Sequence, residues 1–196
     1  MKIMLLNGPP SSGKDTAAVA IQRQLTAQFD VIISIDRLSM PIKRAFAGTV
    51  DIPIDNLGNV KYFESIKETP LTILNGKSYR QWQIDFSEKF MKPLYGEDIF
   101  ARLLIDRIKT YLAQHGIPDI LIIPDCGFQI ELDTLVTELN PKHITLFHLV
   151  RPGTDWSKDS RGYVSHPEIR IHEIHNTNKS TFESLMVNIA KGLLDE

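Results

Sequence analysis

Short continuous apolar runs alternate along this chain with longer stretches in which apolar side chains return every three or four positions. Residues 3–6 form a compact apolar run closed by a glycine-rich turn, the pattern of a buried strand. Over residues 14–27 the spacing of Ala17, Ala20, Ile21 and Leu25, with good helix formers between them, predicts a helix. A β-branched strand follows at 31–35, with Asp36 at its carboxyl end. Helices are predicted over 78–91 and 97–114, separated by a stop and restart at Lys92-Pro93-Leu94-Tyr95-Gly96. Residues 120–123 make the most apolar strand, which runs into Pro124-Asp125. Beyond it the pattern gives a helix at 128–139, a strand at 144–150 closed by Arg151-Pro152-Gly153, a short strand at 169–174 and a final helix at 180–194. Residues 48–77 have weak periodicity, interrupted by Gly48, Pro53, Gly58, Pro70 and Gly76, apart from a short helix near 60–67.

Strands alternating with helices predict an α/β fold, a three-layer α/β/α domain with a parallel sheet of about five strands and right-handed crossovers. In such sheets ligands gather at the carboxyl ends of strands. A length of 196 residues suits one domain, 1–196, with a helical insertion at about 37–115 and a polar, turn-rich lid at about 151–168. The 42% apolar and 23% charged composition is that of a folded globular chain. A net charge of −2 provides no overall basic field for bulk nucleic-acid binding. The one cysteine, Cys126, has no partner for an internal disulfide and fits a reducing compartment. The apolar start is too short for a signal-peptide core and no run reaches spanning length, so a cytoplasmic protein with no membrane partner is expected.

Gly8-Pro9-Pro10-Ser11-Ser12-Gly13-Lys14 fits G-x-x-x-x-G-K in the context that motif requires, after a strand and at the head of a helix. Backbone N–H groups and the positive end of the helix converge there on an anion, and Lys14 adds a movable ammonium for the β and γ phosphates of ATP. Pro9 and Pro10 have no N–H, so the donors must come from Ser11, Ser12, Gly13, Lys14, Asp15 and Thr16. Asp15 stands where Ser or Thr is usual. It reads either as a ligand of Mg²⁺, directly or through water and with Thr16 as the other candidate, or as a first-turn acid favoured by the helix dipole. Asp125, at the end of the most apolar strand, reads as a second holder of Mg²⁺ or its waters, or as a turn residue.

Arg151, Arg161 and Arg170 flank the polar stretch 157–163, where lid arginines would meet transition-state charge; surface solvation is the alternative for each. Asp36 could orient an acceptor hydroxyl, act as a base, or cap a helix before Leu38. Arg80 and Arg102 fall on predicted helices, where an exposed charge or ion pair is the alternative. His172 and His175, with Glu173 and His166 nearby, lack the second ligand pair of a zinc site. Cys126, next to Asp125, reads as a thiol lining the pocket or as a packing group, and Trp82 with Phe86, four apart on one helical face, as core or as a base-stacking platform.

The loop 8–16 with Gly13-Lys14-Asp15-Thr16, Pro41-Ile42-Lys43 after the second strand, Ile123-Pro124-Asp125 with Glu131 six residues on, and Val150-Arg151-Pro152-Gly153 together resemble the bacteriophage deoxynucleoside monophosphate kinases, relatives of the cellular nucleoside monophosphate kinases. The resemblance covers the ends of the chain and leaves 48–77 unmatched. It implies a P-loop kinase fold and phosphoryl transfer from Mg·ATP to a deoxynucleoside 5′-monophosphate, in the host cytoplasm if phage-encoded. Lys14, Asp15, Arg80 and Arg151 would be catalytic, with Gly8 and residues 11–16 on the ATP phosphates. Asp36, Lys43, Arg80 and Asp125 would serve the acceptor, Arg151 and Arg161 the lid, and Asp15, Thr16 and Asp125 the magnesium. One departure is Gly127, where the family tends to carry Arg; an acceptor-side charge is then missing or supplied elsewhere. Two alternatives remain: a kinase acting on hydroxymethylated pyrimidine in phage DNA, the one reading with a nucleic-acid partner, and a nucleotide-binding ATPase or regulator without an acceptor. The expected partners are otherwise small-molecule nucleotides, with a homodimer left open.

Overall fold

The computed structural model describes residues 1–50, 63, 65–157 and 159–195. The chain divides into two compact units, Met1–Leu38 with Ala101–Glu196, and Ser39–Phe100. In chain order the first half carries β1 (Lys2–Asn7), α1 (Lys14–Gln28), β2 (Ile33–Ile35), α2 (Met40–Thr49), α3 (Tyr79–Phe86) and α4 (Lys92–Tyr95). There follow α5 (Ile99–His115), β3 (Ile120–Ile123), α6 (Gln129–Glu138), β4 (Ile144–Val150), β5 (Arg170–His175) and α7 (Lys179–Leu194).

The first unit is built on a parallel sheet in the order β2-β3-β1-β4-β5. Met4 of β1 lies between Ile122 of β3 and Thr145 of β4, and this central strand is buried from Ile3 to Asn7. Burial on both faces explains why β1 and β3 read as unbroken apolar runs rather than alternating ones. Crossover handedness then places the helices. The β1-to-β2 connection through α1 runs one way along the sheet, whereas β2-to-β3 through α5 and β3-to-β4 through α6 run the other, so right-handed crossovers put α1 on one face and α5 and α6 on the opposite one. Met4, Leu6, Ile120, Ile122, Phe147 and Leu149 pack with Ala17, Ile21 and Leu25 of α1 and with Phe182, Met186 and Ala190 of α7. Residues of the opposite parity, Ile3, Leu5, Leu121 and Ile123, are buried as well. The α/β fold expected from the sequence is the fold observed. Open α/β sheets bind ligands outside the carboxyl ends of strands where the order reverses, and β1 and β3 are such neighbours here.

In the second unit, Phe46 of α2 packs on Phe63 and Tyr79, with ring centroids 6.0 and 4.6 Å away, and Trp82 closes over them. Trp82 and Phe86 stack at 5.0 Å as successive turns of α3. Helix α2 is given no bounds by the sequence pattern: Pro41 in its first turn costs no hydrogen bond, and Met40, Ile42, Phe46 and Ala47 bury one side. The predicted stop at residues 92–96 is corrected. From Ser87 to Met91 the chain widens into a π-helical turn and runs on into α4, where Pro93 lies in the first turn; the break comes only at Gly96, with φ 99°. Of the helix expected near 60–67, Phe63, Ser65 and Ile66 are helical, and residues 60–62 and 64 lie outside the described residues. No described helix is long and apolar enough to cross a membrane.

Candidate phosphate-binding site

The chain leaves β1 at Asn7 and turns through residues 8–13 before α1. Two glycines have no substitute in this loop. A Cβ at Gly8 would stand 2.6 Å from the Leu149 carbonyl oxygen of β4 and from Ser12 Oγ. Gly13 has φ 106°, and a Cβ there would stand 2.6 Å from Asn176 Nδ2. Ser11 is also left-handed, at φ 65°. The first helical bond of α1 runs from the Ala17 N–H to the Gly13 carbonyl, so the amides ahead of it have no intrahelical acceptor and head the helix as anion donors. Ser12 is the exception among the expected donors: its N–H turns back to the Pro9 carbonyl at 3.2 Å.

Lys14 folds over the loop. Its Nζ donates to the carbonyls of Gly8 at 2.6 Å and Pro9 at 2.7 Å, with Ser12 Oγ at 3.4 Å. Burial, then the charge of Arg161, lower its pKa from 10.5 to about 8 against the opposing pull of Asp15, Asp125 and Asp159. An ammonium held this weakly gains by meeting a polyphosphate.

Around the loop the structure brings together Arg151, which the sequence singled out, with Asn176 and Arg37, which it did not. Asn176, buried at the end of β5, donates from Nδ2 to the Ser12 carbonyl at 2.9 Å. Arg151, at the end of β4, donates from Nη1 to the Ser11 carbonyl at 2.9 Å. Arg37, 4% exposed, donates from Nη2 to Asp15 Oδ1 at 2.8 Å. The 36–38 turn that carries it is clamped twice. Asp36 accepts from Arg107 Nε and Nη2 at 3.1 Å each, and the Leu38 N–H donates to Asp125 Oδ1 at 2.9 Å. Asp36 is therefore an ion-pair partner, and the capping alternative is corrected: the N-cap of α2 is Ser39. Asn7, wholly buried, ties three segments, donating to the carbonyls of Cys126 and Gly162 at 2.9 Å and accepting from the Val164 N–H at 3.2 Å. Its signal in the sequence was a polar residue ending an apolar strand; Arg107 and Asn176 had none, because only the folded chain brings them to the loop.

Arg161 is gripped by Asp159 through Nε at 2.8 Å and Nη2 at 2.6 Å. Burial works against its charge but is outweighed by the Asp159 hydrogen bonds and by Asp159, Asp125 and Glu131, so its pKa is raised. The Cys126 thiol is buried and pushed well above its usual range by burial and then by Glu131 and Asp125, consistent with packing. Lys43 and Arg80 belong to the second unit, where Lys43 Nζ lies 5.9 Å from the Phe63 ring centre and Arg80 pairs with Glu68. Arg102 and Arg170 are exposed, and His175 pairs with Glu173 at 2.8 Å.

The expected magnesium ligands can be weighed against this geometry. One oxygen of Asp15 faces Arg37 and one of Asp125 faces the Leu38 amide, and no group of three His, Cys, Asp or Glu able to hold a metal occurs among the described residues. Mg²⁺ takes one or two protein oxygens and completes its shell with water and substrate phosphates, and Asp15, Thr16 and Asp125 are the residues here that would hold it.

No family model and no curated protein matches the chain. Among solved structures it is similar to an unliganded sugar kinase from Janibacter sp. HTCC2649, at 13% identity over 100% of this chain and 95% of that one, with a TM-score of 0.51. It is also similar to a gluconokinase from Sinorhizobium meliloti 1021, at 9% identity over 99% and 94% of the two chains, with a TM-score of 0.47. The likeness to the sugar kinase is one of fold, a parallel five-stranded sheet with helices.

Proposed function

We propose that the protein transfers the γ-phosphoryl group of Mg·ATP to a deoxynucleoside 5′-monophosphate, giving ADP and the diphosphate. The observation that carries the phosphoryl-transfer part is the loop 8–16, with Gly8 and Gly13 fixed by close contacts, an amide-lined helix head, and Lys14 folded over it with a lowered pKa. Ser11, Gly13, Lys14, Asp15 and Thr16 would receive the β and γ phosphates. Asp15, Thr16 and Asp125 would hold Mg²⁺, which when bound neutralises charge on the phosphate oxygens. Arg37 offsets the carboxylate of Asp15, so the loop keeps a net attraction for a polyanion. Arg151, already on the loop carbonyl at Ser11, would turn its remaining donors to the transferring group.

The identity of the acceptor rests on the resemblance, with Asp36 and Asp125 of the first unit assigned to it. ADP release from Mg·ATP against ribo- and deoxynucleoside monophosphates, gluconate, other sugars and hydroxymethylated DNA tests the reading. Stimulation by a deoxynucleoside monophosphate is the expected result. Stimulation by a sugar or by DNA alone would replace the acceptor and keep the chemistry, and release with no acceptor would make the protein an ATPase.

A further inference from the structure

Gly127 sits two residues past Asp125, at the outlet of β3. Its φ is outside the left-handed region, so the backbone does not ask for glycine. Space does. A Cβ at this position would lie 2.8 Å from Arg161 Cδ, 3.0 Å from its Cβ and 3.1 Å from its Cγ, and Cβ atoms essentially never approach others within 3.0 Å. The whole stem of Arg161 thus lies along the bare Gly127 backbone.

Three contacts hold it there. The Gly162 N–H donates to the Gly127 carbonyl at 3.1 Å, the Gly162 carbonyl accepts from buried Asn7, and Asp159 grips the guanidinium in a fork. That fork uses Nε and Nη2, and Nη1 makes no hydrogen bond among the described residues while the side chain is 27% exposed. The guanidinium's charge lowers the Lys14 pKa, and the charge of Asp125 raises its own. We propose that Gly127 is a positioning residue of the phosphate site: by carrying no side chain it seats Arg161 at the end of β3, where Nη1 is a fixed second cation for the polyphosphate rather than one delivered by closure of residues 151–168. The inference rests on the phosphate-loop reading of residues 8–16.

A double-mutant cycle on ATP affinity tests it, with kcat and KM as a second readout and thermal unfolding as a control. Arg161→Ala is expected to weaken ATP binding about ten- to a hundredfold, as loss of a charge-assisted contact does. Gly127→Ala should weaken it in the same direction by displacing the stem, and the double variant should bind no worse than Arg161→Ala. Arg161→Lys, which keeps charge and stem but not the fork, should fall between wild type and Arg161→Ala, and it carries the test if Gly127→Ala does not fold. Wild-type affinity in Gly127→Ala or Arg161→Ala, or losses that multiply in the double variant, would overturn the inference. Absence of ATP binding in the wild type would instead sink the phosphate-loop reading beneath it.

Discussion

Replacing Lys14 by Met removes the ammonium of the loop while keeping an apolar stem in its place. In the folded chain burial and Arg161 bring the Lys14 pKa from 10.5 to about 8, so the unfolded chain holds this proton more tightly. Between those two values the unfolded state binds more protons, and the stability of the wild type must therefore climb as pH rises through that window. A difference of this size corresponds to about 3 kcal/mol across the whole interval. Every other ionisable group is common to both proteins, so the wild type minus Lys14→Met difference isolates the loop. Urea unfolding of both proteins in steps from about pH 7 to pH 10 reads it directly. The wild type should gain on the variant once pH passes 8, by at least half the full amount at the upper end. A difference that stays flat with pH would refute the electrostatic account of Lys14. Bound ATP should act the other way: phosphate oxygens restore the ammonium, so binding above pH 8 takes up a proton and weakens as pH rises.

Gly13→Ala forces a left-handed alanine, at about 1–2 kcal/mol, and presses its Cβ on Asn176, whose lost bond to Ser12 adds about 1–3 kcal/mol. A total near 2–5 kcal/mol should appear in urea melts, and a variant as stable as the wild type would contradict the close approach. Arg37→Met leaves the Asp15 carboxylate uncompensated at the head of α1, and ATP affinity should drop about tenfold, with Asp15→Asn in the same chain restoring part of it. Unchanged affinity in Arg37→Met would show that Asp15 needs no counter-ion. The buried Cys126 thiol, held protonated, should react with a thiol reagent only at the rate of unfolding, and rapid labelling of the native protein would place it at the surface.

Much of the fold was legible because its signals are local. Parallel strands buried on both faces are continuous apolar runs, and Ile120–Ile123 stands out at its true boundaries. The glycine turn before Lys14 announces the phosphate loop because tight approach and a left-handed helix entry both demand residues without a Cβ. Helix α2 was given no bounds because Gly48 read as an interruption, yet it falls near the end of the helix, and Pro41 lies in a tolerant first turn. The π-helical turn at Ser87–Met91 leaves no mark in a 3.6-residue period. Of the residues around the loop, the sequence singled out those at the head of α1 and, beyond them, Arg151. Arg37, Arg107 and Asn176 enter it by tertiary contact, across 22 positions to Asp15, 71 to Asp36 and 164 to Ser12, and no spacing rule reaches that far. Gly127 stood out in the sequence as a departure from a resemblance; its physical role, room for Arg161, belongs to the fold alone.

The measurement that bears most directly on phosphoryl transfer is the fate of the γ-phosphate. ATP labelled at that position, incubated with Mg²⁺, the protein and each deoxynucleoside monophosphate in turn, should pass its label into a deoxynucleoside diphosphate, and Lys14→Ala should abolish the transfer. Label recovered only as inorganic phosphate, or transferred equally well by Lys14→Ala, would contradict the account.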